Sequence, residues 1–241
     1  MPFPDRWLAL VAGIARADMG FFDWLFGRIE HPYTELPDLL WCHAQAKWQG
    51  LARQALEASR AGGPALVVAH FSATLETLAP HLEAAMRTKV AETRHALESL
   101  WPAASSAEAM AVLVSARVLS ESPRMPWAGA GQAREILVAE RHFLREQDER
   151  IPAFAATLDF PTRIRFNLSL EDPLLRIFVS EKVLGYLQTS AKPEDAMESG
   201  MVSKSIQKAQ ARIAKRASGN EEAASAEEWA RKHLSGESAA H

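Results

Sequence analysis

The sequence predicts a three-layer α/β domain on a parallel sheet, with a helical extension toward its C-terminal end. Three observations carry this: short apolar runs of strand length, amphipathic stretches between them, and a clear amphipathic helix after the last run. With 241 residues, 48% of them hydrophobic, the chain is long enough to enclose a substantial core and carry extensions besides.

Asp38 to Arg60 reads as a helix, with Trp48, Leu51, Ala52, Ala55 and Leu56 on one face and Gly62-Gly63 placed to end it. Ala65 to Phe71 is a continuous apolar run, β-branched at its centre, and so a buried strand; Ser72 is placed to cap the helix that follows. That helical stretch runs from Ala73 to about Trp101, carrying Leu75, Leu78, Leu82 and Ala85 at helical spacing, with Pro80 as a kink or break. Ala111 to Val118 and Arg134 to Ala139 are the next strands, separated by a loop-like stretch from Glu121 to Gly131. Arg163 to Ser169 alternates polar and apolar residues as a fourth strand. Strands separated by helices imply parallel pairing, with right-handed crossovers that leave helices on both faces.

From Glu171 to about Leu187 the periodicity is helical again, and Met201 to Arg216 carries Val202, Ile206, Ala209 and Ile213 on one stripe. Past Ala217 the chain is rich in Ser, Gly, Ala and Glu, with Trp229 and Leu234 its only large apolar residues. That composition predicts a flexible tail over 218–241, broken at most by a transient helix.

A formal charge of -3 and a pI near 6.3 provide no global basic field, which argues against a sequence-independent grip on nucleic acid. Cys42 is the sole cysteine, so no intramolecular disulfide can form; a reducing, cytoplasmic setting fits best. The run Trp7 to Ala15 is short, preceded by Asp5 and followed by Arg16 and Asp18, so it makes a degenerate signal peptide at best; Met19 is an alternative start. No stretch reaches the roughly 18 to 20 apolar residues of a spanning helix, leaving a soluble protein or one peripheral to the inner face of a membrane.

No His-Glu-x-x-His occurs, and Ser72 lacks the glycines of a nucleophile elbow, so no catalytic, cofactor or metal residue is assigned. Glu140, His142, Asp148 and Glu149 can be drawn as an acid/base or metal cluster on one helix face, with a solvated charged face as the simpler alternative. Phe21, Phe22, Trp24, Leu25 and Phe26 concentrate aromatic surface in the N-terminal extension, residues 1–37. They suit an interfacial anchor or a docking peptide, or else a lid folded onto the domain. Trp101 and Trp127 either plug the domain edge or mark a partner surface. The outer face of the last helix carries Lys204, Lys208, Arg212, Lys215 and Arg216. It would suit an acidic partner, a ribosomal or membrane surface, or simply water.

The segment from Glu140-Arg-His142 through Arg165-Phe-Asn-Leu-Ser-Leu-Glu-Asp-Pro-Leu-Leu-Arg-Ile-Phe178 resembles, without a gap, the SecA stretch from "TERHESRR" to "RFYLSLEDDLMRIF". Ser180-Glu-Lys-Val and Met201-Val-Ser-Lys-Ser-Ile-Gln-Lys-Ala-Gln210 are similar to its "SERV" and "MVSKAIENAQ". Ala65 to Ser72 and Asp38 to Lys47 resemble the family's "PVLVGTRSIE" strand and its leading helix more weakly. The resemblance implies that 38–190 is the second RecA-like, P-loop NTPase-type motor domain of the SecA translocase ATPase, and that 191–217 begins its scaffold helix.

It also implies a loss. The family's Gln-x-x-Gly-Arg-x-Gly-Arg motif supplies guanidinium groups that stabilise phosphoryl transfer, an effect worth roughly 10³ to 10⁵ in rate in related systems. Here that register holds Arg150, Ala153, Phe154, Ala156 and Thr157, and both glycines and both arginines are gone. The loop "TNMAGRGTDI" is replaced from Ser115 onward, and no Gly-x-x-x-x-Gly-Lys-(Ser/Thr) occurs anywhere. The expectation is a non-catalytic relative that needs no cofactor and works through a protein partner, either a translocase component or the ribosome. The alternatives are a nucleotide-binding subunit completed in trans by a P-loop partner, and a peripheral membrane protein.

Overall fold

The computed structural model describes residues 33–101, 108–119, 134–158, 160–178, 196–198, 200–217 and 221–234, together with Gly185 and Gly219. Phe21, Phe22, Trp24, Leu25 and Phe26 lie outside the described residues, as does Trp127.

The apolar runs become strands because a strand covered by helices on both sides must be apolar on both sides. The clearest case is β3 (Ala65–Ala69), buried throughout. Its Leu66 and Val68 face one core with Val112, Val114, Ile136 and Val138, while Ala65, Val67 and Ala69 face another with Ala111, Leu113 and Leu137. Around it run β4 (Arg87–Ala91), β5 (Met110–Ser115), β6 (Arg134–Val138) and β7 (Thr162–Ser169), in the spatial order β4-β5-β3-β6-β7 and all parallel. At the far edge of β7 lie β1 (Tyr33–Glu35) and β2 (Leu39–Trp41), both parallel to it; β8 (Met197–Glu198) pairs antiparallel with Leu39 and Leu40 of β2. Leu36-Pro37-Asp38 separates β1 from β2, and Pro37 has no N–H to offer a ladder there.

Helices α1 (Ala44–Gly62) and α2 (Ser72–Ala85) cover one face of the sheet with Leu51, Ala55, Leu78 and Leu82. On the other face sit α3 (Arg94–Leu100), α4 (Ala116–Leu119) and α6 (Arg150–Ala155), the last preceded by the single turn α5 (Arg145–Asp148). There Trp101 is fully buried against Phe154 and Phe160 and its indole N–H donates to the Pro64 carbonyl at 3.0 Å, so it plugs the core. The expected three-layer α/β class with a parallel sheet and helical extension is what the chain adopts.

Four local expectations are corrected. The first residues of the predicted Asp38–Arg60 helix are strand β2, because Leu39-Leu40-Trp41 is buried on the edge of β7 and the helix starts only at Ala44. The stretch Ala73–Trp101 is not one helix: α2 passes through exposed Pro80 and ends at Ala85, after which Arg87–Ala91 forms an edge strand carrying Arg87 and Lys89. Ser72 does not cap α2; it is the helix's first residue, and its hydroxyl donates to the carbonyl of Ala224 at 3.4 Å. The predicted flexible tail contains α9 (Ala226–Leu234), whose Trp229 is only 1% exposed.

A third core lies beyond the C-terminal ends of the strands. Helices α7 (Pro173–Phe178) and α8 (Gly200–Ile213) meet α9 there, and Val202, Ile206 and Ile213 pack with Leu168, Leu174, Phe143 and Trp229.

One close approach constrains α1. The Trp41 indole, held by its N–H on Asn167 Oδ1 at 3.2 Å, lies so near Gly50 that an added Cβ would fall 1.9 Å from its ring. Alanine is the better helix former by about 1 kcal/mol, yet Gly50→Ala should destabilise the protein by about 1–3 kcal/mol as Trp41 is displaced. Urea unfolding followed by circular dichroism checks the sign.

Candidate functional site

In a parallel sheet every strand delivers the loop after it to the same edge, and in α/β folds that edge is where ligands are met. Here it gathers His70-Phe71-Ser72 after β3, Ser115 to Arg117 from the end of β5 into α4, Glu140 to Phe143 after β6 and Ser169 to Asp172 at the end of β7. What these loops hold is a set of buried charges.

Glu140 is enclosed. One carboxylate oxygen accepts the backbone N–H groups of His70 (2.9 Å) and Phe71 (3.2 Å), and the other accepts the Thr74 hydroxyl at 2.6 Å. It therefore serves the N-terminus of α2 in the role expected of Ser72, a placement the helix dipole favours. Burial raises its pKa, with Lys47 and Thr74 pulling the other way. Lys47 is 1% exposed, and its ammonium donates to Asp172 at 2.7 Å beside the Trp48 ring. Asp172 in turn accepts the Ser169 N–H and hydroxyl.

Arg141 lies flat on the Phe166 ring, 3.4 Å from its centroid, and donates to Asp38 (2.7 Å) and Glu35 (2.8 Å), with Asp148 at 3.4 Å. Burial alone would lower its pKa; Asp148, Asp38 and Glu35 outweigh it and hold the guanidinium firmly charged. Asp38 is itself raised by burial, against the pull of Arg141. Asp148 accepts the His142 N–H (2.8 Å) and the Gln210 amide (2.7 Å), and His70 Nε2 stands 2.9 Å away. Burial would raise this carboxyl too, but His70, Arg141 and the His142 N–H keep it below the usual carboxylate range. His142 is pushed down to about 3, by burial first and then by His70, and its Nδ1 accepts the Leu144 N–H at 3.0 Å.

Glu140, His142 and Asp148 are therefore interior groups, not a solvated helix face, and Glu140 and His142 sit in a loop. Of the four residues only Glu149 is exposed, paired with Arg145 at 2.9 Å. Among the described residues no group of His, Cys, Asp and Glu has the makings of a metal site. Asp38, Lys47, Asp172, Gln210 and Trp229 complete the cluster. None of them carries a chemical signature in the sequence: Asp38, Lys47, Asp172 and Gln210 stand out only as residues of the resemblance, and Trp229 only as a large apolar residue in a polar segment.

The edge is also covered by the chain itself. Trp229 stacks on Phe143 (centroids 4.8 Å apart) and meets the edge of His142 at 5.3 Å, the Ala224 carbonyl accepts the Ala73 N–H at 2.9 Å, and Glu222 pairs with Arg117. Residues 221–229 thus form a wall of two clefts. One, of about 200 Å³, holds Lys47, Glu140 and Asp172; the other, of about 280 Å³, holds Ser72, Ser115, Arg117 and half-buried Arg150. Phe154, in the register of the lost arginine motif, points into the core beside Trp101.

No family model matches the chain. Over 79 residues, 32% of the chain, it is 42% identical to the protein translocase subunit SecA of Paraburkholderia xenovorans, and over 100 residues, 39% of the chain, 36% identical to that of Bordetella petrii. SecA of Methylibium petroleiphilum is 36% identical over 94 residues. This stretch is SecA-like. The matches cover 8%, 11% and 10% of those proteins, so the chain corresponds to about a tenth of its curated relatives. Among solved structures it is similar to the C-terminal domain of a possible DNA helicase from Lactobacillus plantarum (TM-score 0.33, 13% identity, 56% of this chain and 74% of that one). It is also similar to the C-terminal part of the Fun30 ATPase domain (TM-score 0.39, 12% identity, 69% and 52%). No helix among the described residues is long and apolar enough to cross a membrane.

Two outcomes follow from the buried cluster. A histidine whose folded pKa lies below its unfolded value contributes stability that is complete above about pH 6.5 and lost as the pH falls toward 3. The stability gap between the native chain and His142→Asn should therefore narrow across that window, measured by urea unfolding at several pH values. Trp229→Ala should lower stability by about 3 kcal/mol, the usual cost of emptying a buried aromatic site, whereas a residue in a flexible tail would cost nothing. Thermal unfolding separates the two.

Proposed function

We propose that this chain is a non-catalytic SecA-like protein that acts by binding other proteins, in the setting of protein export. The observation that carries the reading is the use made of the sheet's C-terminal edge. Where a motor lobe would present arginines and an open face to a nucleotide, this chain has Phe154 in its core and its own residues 221–229 over the edge. The absence of a phosphate-binding Gly-x-x-x-x-Gly-Lys-(Ser/Thr) supports the same reading, since nothing else in the sequence offers the backbone cradle and lysine for a triphosphate.

A second reading, a nucleotide-binding subunit completed in trans by a P-loop partner, draws on one feature. Arg150 faces the larger cleft beside Arg117, and its side chain has no ion-pair partner among the described residues. Supplying catalysis to a partner would still require the missing motif arginines.

The purified protein should neither hydrolyse ATP nor bind it at micromolar concentration in calorimetry with Mg²⁺, and affinity capture from native cells should recover translocase subunits or ribosomes. ATP turnover at a motor-like rate by pure protein would overturn the non-catalytic reading. Micromolar binding without turnover would favour the second, and capture of neither kind of partner would sink the link to export.

A further inference from the structure

Helix α8 is buried along one face and exposed along the other. Val202, Ile206, Ala209 and Ile213 are buried, and the buried Gln210 amide reaches the His142 carbonyl (2.8 Å) and Asp148, so the helix cannot rotate about its axis. The outward face it must then present carries Lys204, Lys208 and Arg212, continued by Lys215 in the turn that follows, all exposed. At 100° per residue these four fall within about 80° of arc, and at 1.5 Å rise they form a line about 16 Å long. The chain from Gly200 to Ala217 contains no aspartate or glutamate. None of the four side chains has a hydrogen-bond or ion-pair partner among the described residues, whereas nearby Arg165 is neutralised by Glu198 at 2.9 Å.

This stripe departs from the family pattern that the helix otherwise follows. Against "MVSKAIENAQ" the chain replaces the glutamate by Gln207 and the asparagine by Lys208, both exposed. Each change moves the outer face toward positive charge, while the buried positions Val202, Ile206, Ala209 and Gln210 are kept.

We propose that the outer stripe of α8 is a docking surface for an acidic polypeptide segment, helical and carrying carboxylates at a spacing of three to four residues. The proposal rests on the interaction role proposed above and names its surface and partner chemistry. Carboxylates at that spacing on a facing helix recur about every 5–6 Å, the interval at which the stripe presents its cations. Two other polyanions fit less well. Single-stranded nucleic acid is gripped by aromatic platforms between the charges, and Gly200 to Ala217 holds no aromatic residue. A bilayer is entered by large apolar residues beside the cations, and apart from Lys208 and Arg212 the exposed residues between Lys204 and Lys215 are Ser205, Gln207, Ala211 and Ala214.

The test measures binding of three probes to the full chain by fluorescence anisotropy or flotation at about 50 mM salt, where exposed charges are little screened. The probes are a Glu-rich helical peptide, a uridylate RNA of equal charge, and vesicles of phosphatidylserine and phosphatidylcholine. The peptide should bind most tightly, and the quadruple variant K204E/K208E/R212E/K215E should lose roughly tenfold or more in affinity with its circular dichroism unchanged. Should that variant fold poorly, K204Q/K208Q should fold and weaken the peptide by a smaller factor. Tighter binding of RNA or vesicles, or peptide affinity indifferent to either variant, overturns the proposal. The outcome is separable from the export reading. Peptide binding with no translocase subunit or ribosome captured leaves the stripe standing and the export reading fallen. Their capture by native and charge-reversed chains alike, without peptide binding, does the reverse.

Discussion

The constraint on which the rest of the fold depends is that charged side chains inside a protein must be paired. Beyond the ends of β3, β6 and β7 the chain buries Asp38, Lys47, Glu140 and Asp148, with Arg141 and Asp172 almost as enclosed. An unpaired ion there would cost several kcal/mol, so each must be met by a counter-ion or by backbone donors in a fixed geometry. Because the partners come from distant parts of the sequence, satisfying the charges determines which loops meet. Lys47 brings α1 to the end of β7, Arg141 brings β6 to the start of β2, and Asp148 collects His70 from β3 and Gln210 from α8.

Such a cluster does not have to be a source of net stability. A buried ion pair often does no better than a well-packed apolar substitute, whereas removal of one partner is severe because the other is left stranded. Its effect here is to specify. The order β7-β2 at the sheet edge and the seating of α8 are each secured at a buried charge, by Arg141 on Asp38 and by Gln210 on Asp148. The opposing pKa tendencies are consistent with this: Asp148 is held low by several donors, while Asp38 and Glu140 are raised because burial outweighs their partners.

The central strands were legible because their burial is two-sided, and a run such as Ala65-Leu-Val-Val-Ala69 has no other comfortable place. The edges were not. Strand β4 is exposed along most of its length and carries polar residues, so it has the composition of a helix surface, and β2 is three residues long and abuts a real helix. Of the site, the segment from Glu140 to Asp172 was visible as a resemblance, but its chemistry was inverted. Charges spaced like a solvated helix face proved to be interior, because spacing says which residues share a side of a helix and nothing about whether a helix forms. Trp229 illustrates the converse. A single aromatic residue in a polar segment of low periodicity weighs little in any window average, yet its indole stacks on Phe143 and, with buried His233 and with Ala226, Ala230 and Leu234 packed beside it, seats a nine-residue helix.

The buried charges also hold the sheet's C-terminal edge through residues other than those in the register of the family's arginine motif. The residues that tie the sheet's C-terminal edge together, Asp38, Lys47, Glu140, Arg141, Asp148 and Asp172, bond to one another or to the backbone. The positions in the register of the arginine motif belong to a different set, in which Phe154 serves the core and Arg150 faces a cleft. An aromatic side chain laid over that edge gains by removing Phe143 and His142 from water, and Trp229 occupies that place.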